Sequence, residues 1–178
     1  YARTARRMLR PRRIRGIFPG VVGVTQYHLP KGVVGVIAPW NYPLTIAVSD
    51  AIPALMAGNT VVVKPDSQTT LTALWVLHLL HRAGMPRGVL EIVAGEGADL
   101  GPAMVAGADY IMFTGSTRVG RIIAEQCGER LIGCSLELGG KNAMIVRADV
   151  DIDRASETAV RATYANSGQL CVSMERMY

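Results

Sequence analysis

The alternation of short apolar runs with segments of helical periodicity between residues 33 and 138 constrains the fold more than any other feature of this sequence. Residues 33–38 and 61–63 are apolar throughout, which is typical of strands buried on both faces of a parallel sheet. Strands are expected at 33–38, 60–64, 89–93, 110–113 and 131–138, and helices at 44–57, 68–83, 100–106 and 119–130. Because strand–helix–strand units cross over right-handedly, the pattern predicts an α/β fold: a Rossmann-like, mostly parallel sheet with helices on both faces.

Weaker patterns flank this central stretch. Residues 1–10 are expected to form the end of a helix that Pro11 stops, and residues 21–29 alternate loosely like an extended strand. A further strand is expected at 143–146 and a helix at 151–166. Pro53 lies inside the expected helix at 44–57 and should kink or unsettle it.

Composition excludes several classes of protein. The chain has 178 residues, of which 49% are hydrophobic and 19% charged, so it can bury one globular core. Its three cysteines form no CxxC pair, which favours free thiols in a reducing compartment. No signal peptide and no apolar run long enough to cross a bilayer is present in the sequence. We therefore predict a cytoplasmic protein with no membrane partner.

The net charge of +5 is a local property of the first 16 residues. Seven arginines and no acid lie there; removing those seven from 19 basic residues leaves 12 against 14 acids, or about −2. Such a run is one way to bind nucleic acid. No aromatic interleaving or binding motif accompanies it, so a solvated helix end is favoured and no nucleic-acid partner is expected.

Polar and glycine-rich clusters follow the expected strands, at the edge where parallel sheets bind ligands. Residues 115–120 open a helix whose backbone N–H groups suit a phosphate, although Gly-Ser-Thr is also a plain capping turn. Lys64 ends a buried strand, where an unpaired ammonium is costly. Its partner is either a ribose or phosphate group or the carboxylate of Asp66.

Three residues are candidates for catalytic roles. Glu137 lies between two leucines, where partial burial would raise its pKa and suit a general base; the alternative is an ion pair with Lys141. Asn41 is a candidate oxyanion donor or a turn residue before Pro43. Cys171 is a candidate nucleophile or a buried free thiol.

No metal site is expected. His78 and His81 are three positions apart on an expected helix, but no third ligand stands at metal-binding spacing. We interpret both as helix-surface residues.

Five motifs occur together and in order, and their order resembles the aldehyde dehydrogenase superfamily from about Ile14 onward. They are PWNYP at 39–43, KP at 64–65, FTGS at 113–116, ELGGK at 137–141 and GQLC at 168–171. The segments at 64–69 and 171–176 look most like bacterial succinate-semialdehyde dehydrogenases.

The resemblance implies a catalytic role for each of the three candidates. Cys171 would attack the aldehyde carbon, and Asn41 with the Cys171 backbone N–H would hold the oxyanion. Hydride transfer to the nicotinamide would leave a thioester, which water activated by Glu137 would hydrolyse. The presence of Glu137 favours a free acid as product, since members that transfer the acyl group to coenzyme A tend to lack this base.

The resemblance also implies the cofactor site. Many relatives that use NAD have a glutamate where this chain has Ser67, and its absence removes a charge that would repel a 2′-phosphate. NADP is therefore favoured over NAD, although Asp66 could restore the repulsion. The implied cofactor-binding residues are Ile37, Trp40, Lys64, Ser67, Gly95, Gly115, Ser116, Val119 and Leu138.

Three parts of the chain are expected from the resemblance. Residues 1–31 would hold a helix end and a bridging strand used in oligomerisation, 32–140 the dinucleotide-binding domain, and 141–178 the incomplete start of a second, catalytic α/β domain. Family chains are much longer, so we expect a truncated chain with little activity alone and a full-length form that is a homo-oligomer. The alternative function is a dinucleotide-binding module without catalysis.

Overall fold

A computed structural model describes residues 1, 3–18 and 20–178. The chain begins with helix α1 (Ala5–Leu9), followed by strands β1 (Arg12–Arg15) and β2 (Gly23–Gln26). These two strands pair antiparallel, with Ile14 opposite Val24. The arginine run is therefore divided between a short helix and a strand, and the expectation of a solvated helix end is wrong for residues 12–15.

The centre of the molecule is a sheet of five strands: β3 (Val33–Ile37), β4 (Thr60–Lys64), β5 (Leu90–Ile92), β6 (Tyr110–Gly115) and β7 (Gly133–Leu138). Their order is β5-β4-β3-β6-β7, and all neighbours are parallel. Chain order thus runs outward from β3 on both sides, as in doubly wound sheets. The predicted Rossmann-like α/β architecture is confirmed.

Helices cover both faces of this sheet and bury two separate apolar clusters. On one face Val34 and Val36 pack with Ala47 and Ala51 from the helices that follow β3. On the other face Ile111 and Phe113 pack with Val105, Ile123 and Cys127. The first face carries α2 (Pro43–Ser49), α3 (Ala51–Met56) and α4 (Thr70–Arg82), and the second carries α5 (Gly97–Gly107) and α6 (Thr117–Glu129).

The expected helix over 44–57 is two helices, with the break at Asp50. Pro53 lies in the first turn of α3, where its missing N–H removes no intrahelical bond. The chain therefore accommodates the proline by restarting the helix rather than by kinking it. Helix α5 begins at Gly97, three residues earlier than the expected start at Leu100.

The last part of the chain forms β8 (Asn142–Met144), helix α7 (Ile152–Tyr164) and β9 (Met174–Met177), with β8 and β9 paired in parallel. The sequence pattern did not indicate β9. Two 3₁₀ turns, Ser67–Thr69 and Ala165–Gly168, precede α4 and follow α7. None of the described helices combines the length and apolarity needed for a bilayer crossing.

Candidate active site

The catalytic candidates converge at the carboxyl edge of the central sheet. Strand register places Ile37 beside Phe113 and Thr114 beside Glu137, so the loops after β3, β6 and β7 meet there. Asn41, Glu137 and Cys171 line one cleft of about 360 Å³. Each of these residues was a catalytic candidate from the sequence. The fold brings them together across 130 residues of chain, from position 41 to position 171.

Cys171 is exposed and lies between the 3₁₀ turn at Ala165–Gly168 and β9. Its main chain is held by Asn142, whose Nδ2 donates to the carbonyl oxygens of Cys171 at 2.6 Å and Ser173 at 3.0 Å. The thiol is therefore open to a substrate while its backbone is tethered to the start of β8. The alternative of a buried, inert cysteine does not apply to Cys171.

Cys127, by contrast, has the properties of a buried, inert cysteine. It is 1% exposed, and burial raises the pKa of its thiol to about 11, with the neighbouring Cys134 thiol contributing. A thiol with so high a pKa is almost entirely protonated at neutral pH and is a poor nucleophile.

Asn41 is held by bonds at both ends of its carboxamide. Its Oδ1 accepts from the Tyr42 N–H at 3.1 Å, and its Nδ2 donates to the carbonyl of Gln169 at 2.8 Å. An amide nitrogen has two hydrogens, so one donor remains for another acceptor. Both hydrogen bonds orient the carboxamide beside the loop that carries Cys171.

Glu137 is exposed, so the partial burial expected for it from its leucine neighbours is not found. The leucines on either side point to the opposite face of the sheet and pack in the second cluster, because successive strand residues alternate. The alternative pairing with Lys141 is also wrong, since the Lys141 ammonium bonds to the carboxylate of Glu175. Glu137 is thus an accessible carboxylate in the cleft.

The charge of Glu137 acts on Asp50, at the break between α2 and α3. Burial raises the pKa of Asp50 above its usual value, and the negative charge of Glu137 raises it further. Both carboxyl groups lie on the face of the sheet that α2 and α3 cover. Alternate residues of a strand share a face, so Glu137 points the same way as Ser135. The Ser135 hydroxyl bonds to the hydroxyl of Tyr110, which packs in the first cluster.

A second, larger cavity of about 570 Å³ lies between the ends of β3, β4 and β6 and helices α5 and α6. Six of the predicted cofactor residues line it: Ile37, Trp40, Lys64, Gly115, Ser116 and Val119. The two cavities share Pro39, Trp40, Thr114, Gly115 and Ser116. A ligand that fills the larger cavity can therefore extend to the cleft of Cys171.

Lys64 has the character of a ligand-binding residue. It is 5% exposed and forms no ion pair with a described carboxylate. Asp66, the expected alternative partner, instead accepts from the Gln68 N–H at 3.0 Å. A Cβ placed on Gly97 would lie 3.8 Å from Lys64 Nζ, so the ammonium stands beside the first residue of α5. A buried cation at a helix N-terminus favours an anionic or hydroxyl-rich ligand.

Ser116 lies immediately before α6 and forms the capping turn that the sequence allowed. Its hydroxyl caps the helix by accepting from the Val119 N–H at 3.3 Å, and the residue also lines the larger cavity. The glycines of this segment allow close contacts: Gly120 stands where a Cβ would meet Leu138 at 2.6 Å.

Three predicted cofactor residues line neither cavity. Ser67 begins the first 3₁₀ turn and is exposed, Gly95 precedes α5 with φ of +157°, and Leu138 packs in the second apolar cluster. The site residues that the sequence did not single out are amides, Asn142 and Asn166. Sequence position is the one signal that could have pointed to them: Asn142 follows Lys141, and Asn166 stands five residues before Cys171.

The described residues contain no group of three or more His, Cys, Asp or Glu side chains arranged to hold a metal ion. His78 stacks on Trp75 with ring centroids 5.5 Å apart, which accounts for it within α4. The reactive side chains of the candidate site are a thiol, a carboxylate, an amide and a buried ammonium.

Comparison with known proteins gives matches over the whole chain. The family model described as "Aldehyde dehydrogenase family" matches residues 1–178. A protein of Mycolicibacterium smegmatis, provisionally named NADP(+)-dependent succinate-semialdehyde dehydrogenase, is 56% identical over 178 residues, which are 100% of this chain and 34% of that protein. Benzaldehyde dehydrogenase [NAD(+)] of Pseudomonas putida is 47% identical over 161 residues, covering 89% of this chain and 33% of that protein.

A solved structure shows the same fold. Succinate-semialdehyde dehydrogenase from Burkholderia pseudomallei superimposes with a TM-score of 0.92 at 35% identity, over 99% of this chain and 36% of the other. The chain thus spans about a third of the length of the curated relatives it matches.

Proposed function

We propose a catalytic role for this chain, which belongs to the aldehyde dehydrogenase family. It provides the cofactor site and the nucleophile for NADP- or NAD-dependent oxidation of an aldehyde to a carboxylic acid. The observation that carries this proposal is one cleft that contains Cys171, Glu137 and Asn41 and continues into the cavity of Lys64. The motif-based assignment to this family is confirmed by the family match.

In the proposed reaction, the thiolate of Cys171 adds to the aldehyde carbon, and the carbonyl oxygen becomes an oxyanion. The free N–H of Asn41 and the backbone N–H of Cys171 donate to that oxyanion. The bound dinucleotide supplies the acceptor for the hydride that leaves the former aldehyde carbon. As the hydride leaves with the electron pair of the carbon–hydrogen bond, a lone pair of the oxyanion re-forms the carbonyl double bond, and a thioester on Cys171 remains.

Glu137 then acts as the general base of the second half-reaction. It takes a proton from a water molecule as the water oxygen attacks the thioester carbon. The carbon–sulfur bond breaks, the acid leaves, and Cys171 is again a thiolate. The exposure of Glu137 supports this role, since an accessible carboxylate can reach water and return its proton to solvent.

For the cofactor, we propose that Lys64 and the N-terminus of α6 bind the adenosine end and Trp40 and Gly115 the part nearer Cys171. Ser67 and Asp66 have opposite effects on a 2′-phosphate, and we propose NADP as the preferred form. The relative named for NADP(+) at 56% identity supports this preference, and the relative named for NAD(+) shows that both forms occur among similar proteins.

For the substrate, we propose a short semialdehyde with a distal carboxylate, of which succinate semialdehyde is the leading candidate. The support is the name of the Mycolicibacterium relative and that of the Burkholderia structure. We also propose residues 32–140 as the dinucleotide-binding domain, 141–178 as the start of a catalytic domain, 1–31 as a bridging segment, and a homo-oligomer in the cytoplasm for the complete protein.

The test compares the complete protein that contains residues 1–178 with its Cys171→Ala and Glu137→Gln variants. With succinate semialdehyde and NADP, Cys171→Ala should abolish NADPH formation. Glu137→Gln should give a burst of about one NADPH per site followed by slow turnover, because acylation precedes the step that needs the base. Cys134→Ser is the matched control and should keep wild-type turnover.

Two results would contradict the proposal. Full activity of Cys171→Ala would exclude this thiol as the nucleophile. Tight NADP binding by the wild-type protein with no oxidation of any aldehyde offered would favour the alternative, a dinucleotide-binding module.

A further inference from the structure

Two hydrogen bonds join the loop after β3 to the loop that carries Cys171. Asn166 donates from Nδ2 to the carbonyl oxygen of Asn41 at 3.1 Å, and Asn41 donates from Nδ2 to the carbonyl oxygen of Gln169 at 2.8 Å. The bonds run in opposite directions between segments that are 125 and 128 positions apart. We call this pair of bonds the asparagine clasp.

The backbone that presents Asn166 is unusual. Asn166 has φ of 50° and ψ of 39°, Ser167 has φ of 58° and ψ of 30°, and Gly168 has φ of 76°. Three consecutive residues thus lie in the left-handed region. Asparagine and glycine tolerate this conformation, whereas serine rarely adopts it. This reversal places the Asn166 carboxamide and the Gln169 carbonyl on the same partner, Asn41. Such strain persists where the surrounding structure over-determines it, and often at functional sites.

We infer that Asn166 is a positioning residue for the oxyanion donor, acting through the asparagine clasp. The bond from Asn166 fixes the main chain of Asn41. The bond from Asn41 Nδ2 to the Gln169 carbonyl fixes the Asn41 carboxamide against the main chain two residues before Cys171. The donor and the nucleophile then keep one mutual geometry when the aldehyde binds. This inference rests on the proposed function, because it assigns a role within that reaction.

The amide is required for this role, whereas the left-handed backbone alone is not sufficient. Nδ2 of Asn166 supplies the donor to a carbonyl oxygen, and a carboxylate in its place would set two acceptors against each other. Glycine adopts the same φ and ψ without strain but has no donor. Substitutions at this position can therefore separate the backbone contribution from the hydrogen bond.

The experiment measures steady-state kinetics of the complete protein with succinate semialdehyde and NADP. Asn166→Gly and Asn166→Asp should each lower kcat about tenfold, less than the 10²- to 10³-fold typical of losing an oxyanion donor itself. KM for NADP should stay within about twofold, since the clasp does not line the larger cavity. Ser167→Gly is the matched control: it relieves the neighbouring left-handed residue, keeps the clasp and should keep wild-type kcat.

A double-mutant cycle tests whether the effect passes through Asn41. Once Asn41→Ala has removed the donor, adding Asn166→Gly should lower kcat by less than about twofold. A purely structural role for Asn166 would instead give the same tenfold loss in both backgrounds. Equal additive losses, or wild-type kcat in both Asn166 variants, would overturn the inference.

A second readout separates failure of this inference from failure of the proposed function. If the wild-type protein oxidises no aldehyde, the proposed function fails, and the clasp is then judged by the alkylation rate of Cys171 with iodoacetamide. A change of about threefold or more in Asn166→Gly, with none in Ser167→Gly, would support the clasp as the structure that positions this loop. Equal rates in all three proteins would overturn it.

Discussion

The central sheet and the segment that carries the nucleophile are held together by different physical means. Among the described residues, the buried apolar ones belong to positions 34–127, and all of these except Ala73 and Met104 fall in two clusters on the two faces of the sheet. In residues 141–178, all of which the structure describes, Ser173 alone is buried, and α7 has no buried residue. Within these 178 residues, apolar burial is concentrated in the first region, and side-chain hydrogen bonds to main-chain carbonyls hold much of the second.

This difference has a functional consequence. The cavity of Lys64 is built on strands whose positions are fixed by close packing, so it is preformed by the core. Cys171 is positioned by side-chain amides that donate to main-chain carbonyls, from Asn142 and through the asparagine clasp. Regions with few buried contacts open locally at lower free energy than the core does. Within these 178 residues, the nucleophile therefore lies in the region with fewer buried contacts.

The largest expected effect comes from truncating the core. Ile111 is 0% exposed, and Ile111→Ala should lower the free energy of unfolding of this chain by about 3–4 kcal/mol. Ile145, 79% exposed, is the matched control, and Ile145→Ala should change it by less than about 0.5 kcal/mol. Urea unfolding followed by circular dichroism measures both. Similar losses at the two sites would show that the two regions do not differ in this way.

Thiol labelling gives the next largest contrast. At pH 8, Cys127 should react with iodoacetamide at least about a hundredfold more slowly than Cys171, because it is buried and its pKa is about 11. Its rate should rise with pH up to about 11. Mass spectrometry of digests gives the rate for each cysteine. The contrast should vanish in urea, and a fast Cys127 in the folded chain would contradict it.

Asn142 should stabilise the nucleophile segment locally. Asn142→Ala removes two hydrogen bonds to carbonyls and should lower the protection of β9 amides by about 1–2 kcal/mol, while β6 amides stay unchanged. Hydrogen exchange by mass spectrometry measures both strands. Loss of protection in β6 as well would mean that the two regions open together.

Asp50 tests the buried face beside Glu137. A carboxyl group whose pKa is raised on folding adds stability below its unfolded value of 3.8, and this stability is lost as the pH rises through the folded value. Asp50→Asn should therefore raise the urea midpoint at pH 7, and the gain should shrink as the pH approaches 3.8. Asp50 makes no capping bond that the amide would lose.

Asp151→Asn is the control for this substitution. Asp151 caps α7 by accepting from the Arg154 N–H at 2.9 Å, and asparagine caps equally well. Its urea midpoint should change little. A gain at pH 7 for both variants would point to net charge rather than to burial at Asp50.

The smallest effect is expected at the ion pair of Lys141 and Glu175. Their side chains are 64% and 40% exposed, so Glu175→Gln should cost less than about 1 kcal/mol, and less again in 0.5 M salt. Urea unfolding at two salt concentrations checks this. A larger loss of stability that does not depend on salt would show that the pair orders the loop around Cys171 through contacts that salt does not screen.

The sequence indicated most of the central sheet and the three catalytic candidates. Buried parallel strands are apolar at successive positions, so residues such as 33–38 and 61–63 can be recognised without any tertiary information. The sequence indicated a disturbance at Pro53 but not a break at Asp50, because a proline is tolerated in the first turn of a helix. Strand β9 was not indicated, because Met174–Met177 pairs with residues 32 or 33 positions earlier.

What the sequence by itself determined is the alternation of strands and helices, hence the sheet and the edge at which Asn41, Lys64, Glu137 and Cys171 are expected. What only the tertiary structure decided is the state of each of these groups. Glu137 is exposed, while its leucine neighbours take the opposite face of β7. Lys64 forms no ion pair with a carboxylate that the structure describes, and Asp66 instead caps a turn. Asn41 is oriented by residues more than 120 positions later. Local pattern specifies which face a residue takes; long-range contacts decide what it meets there.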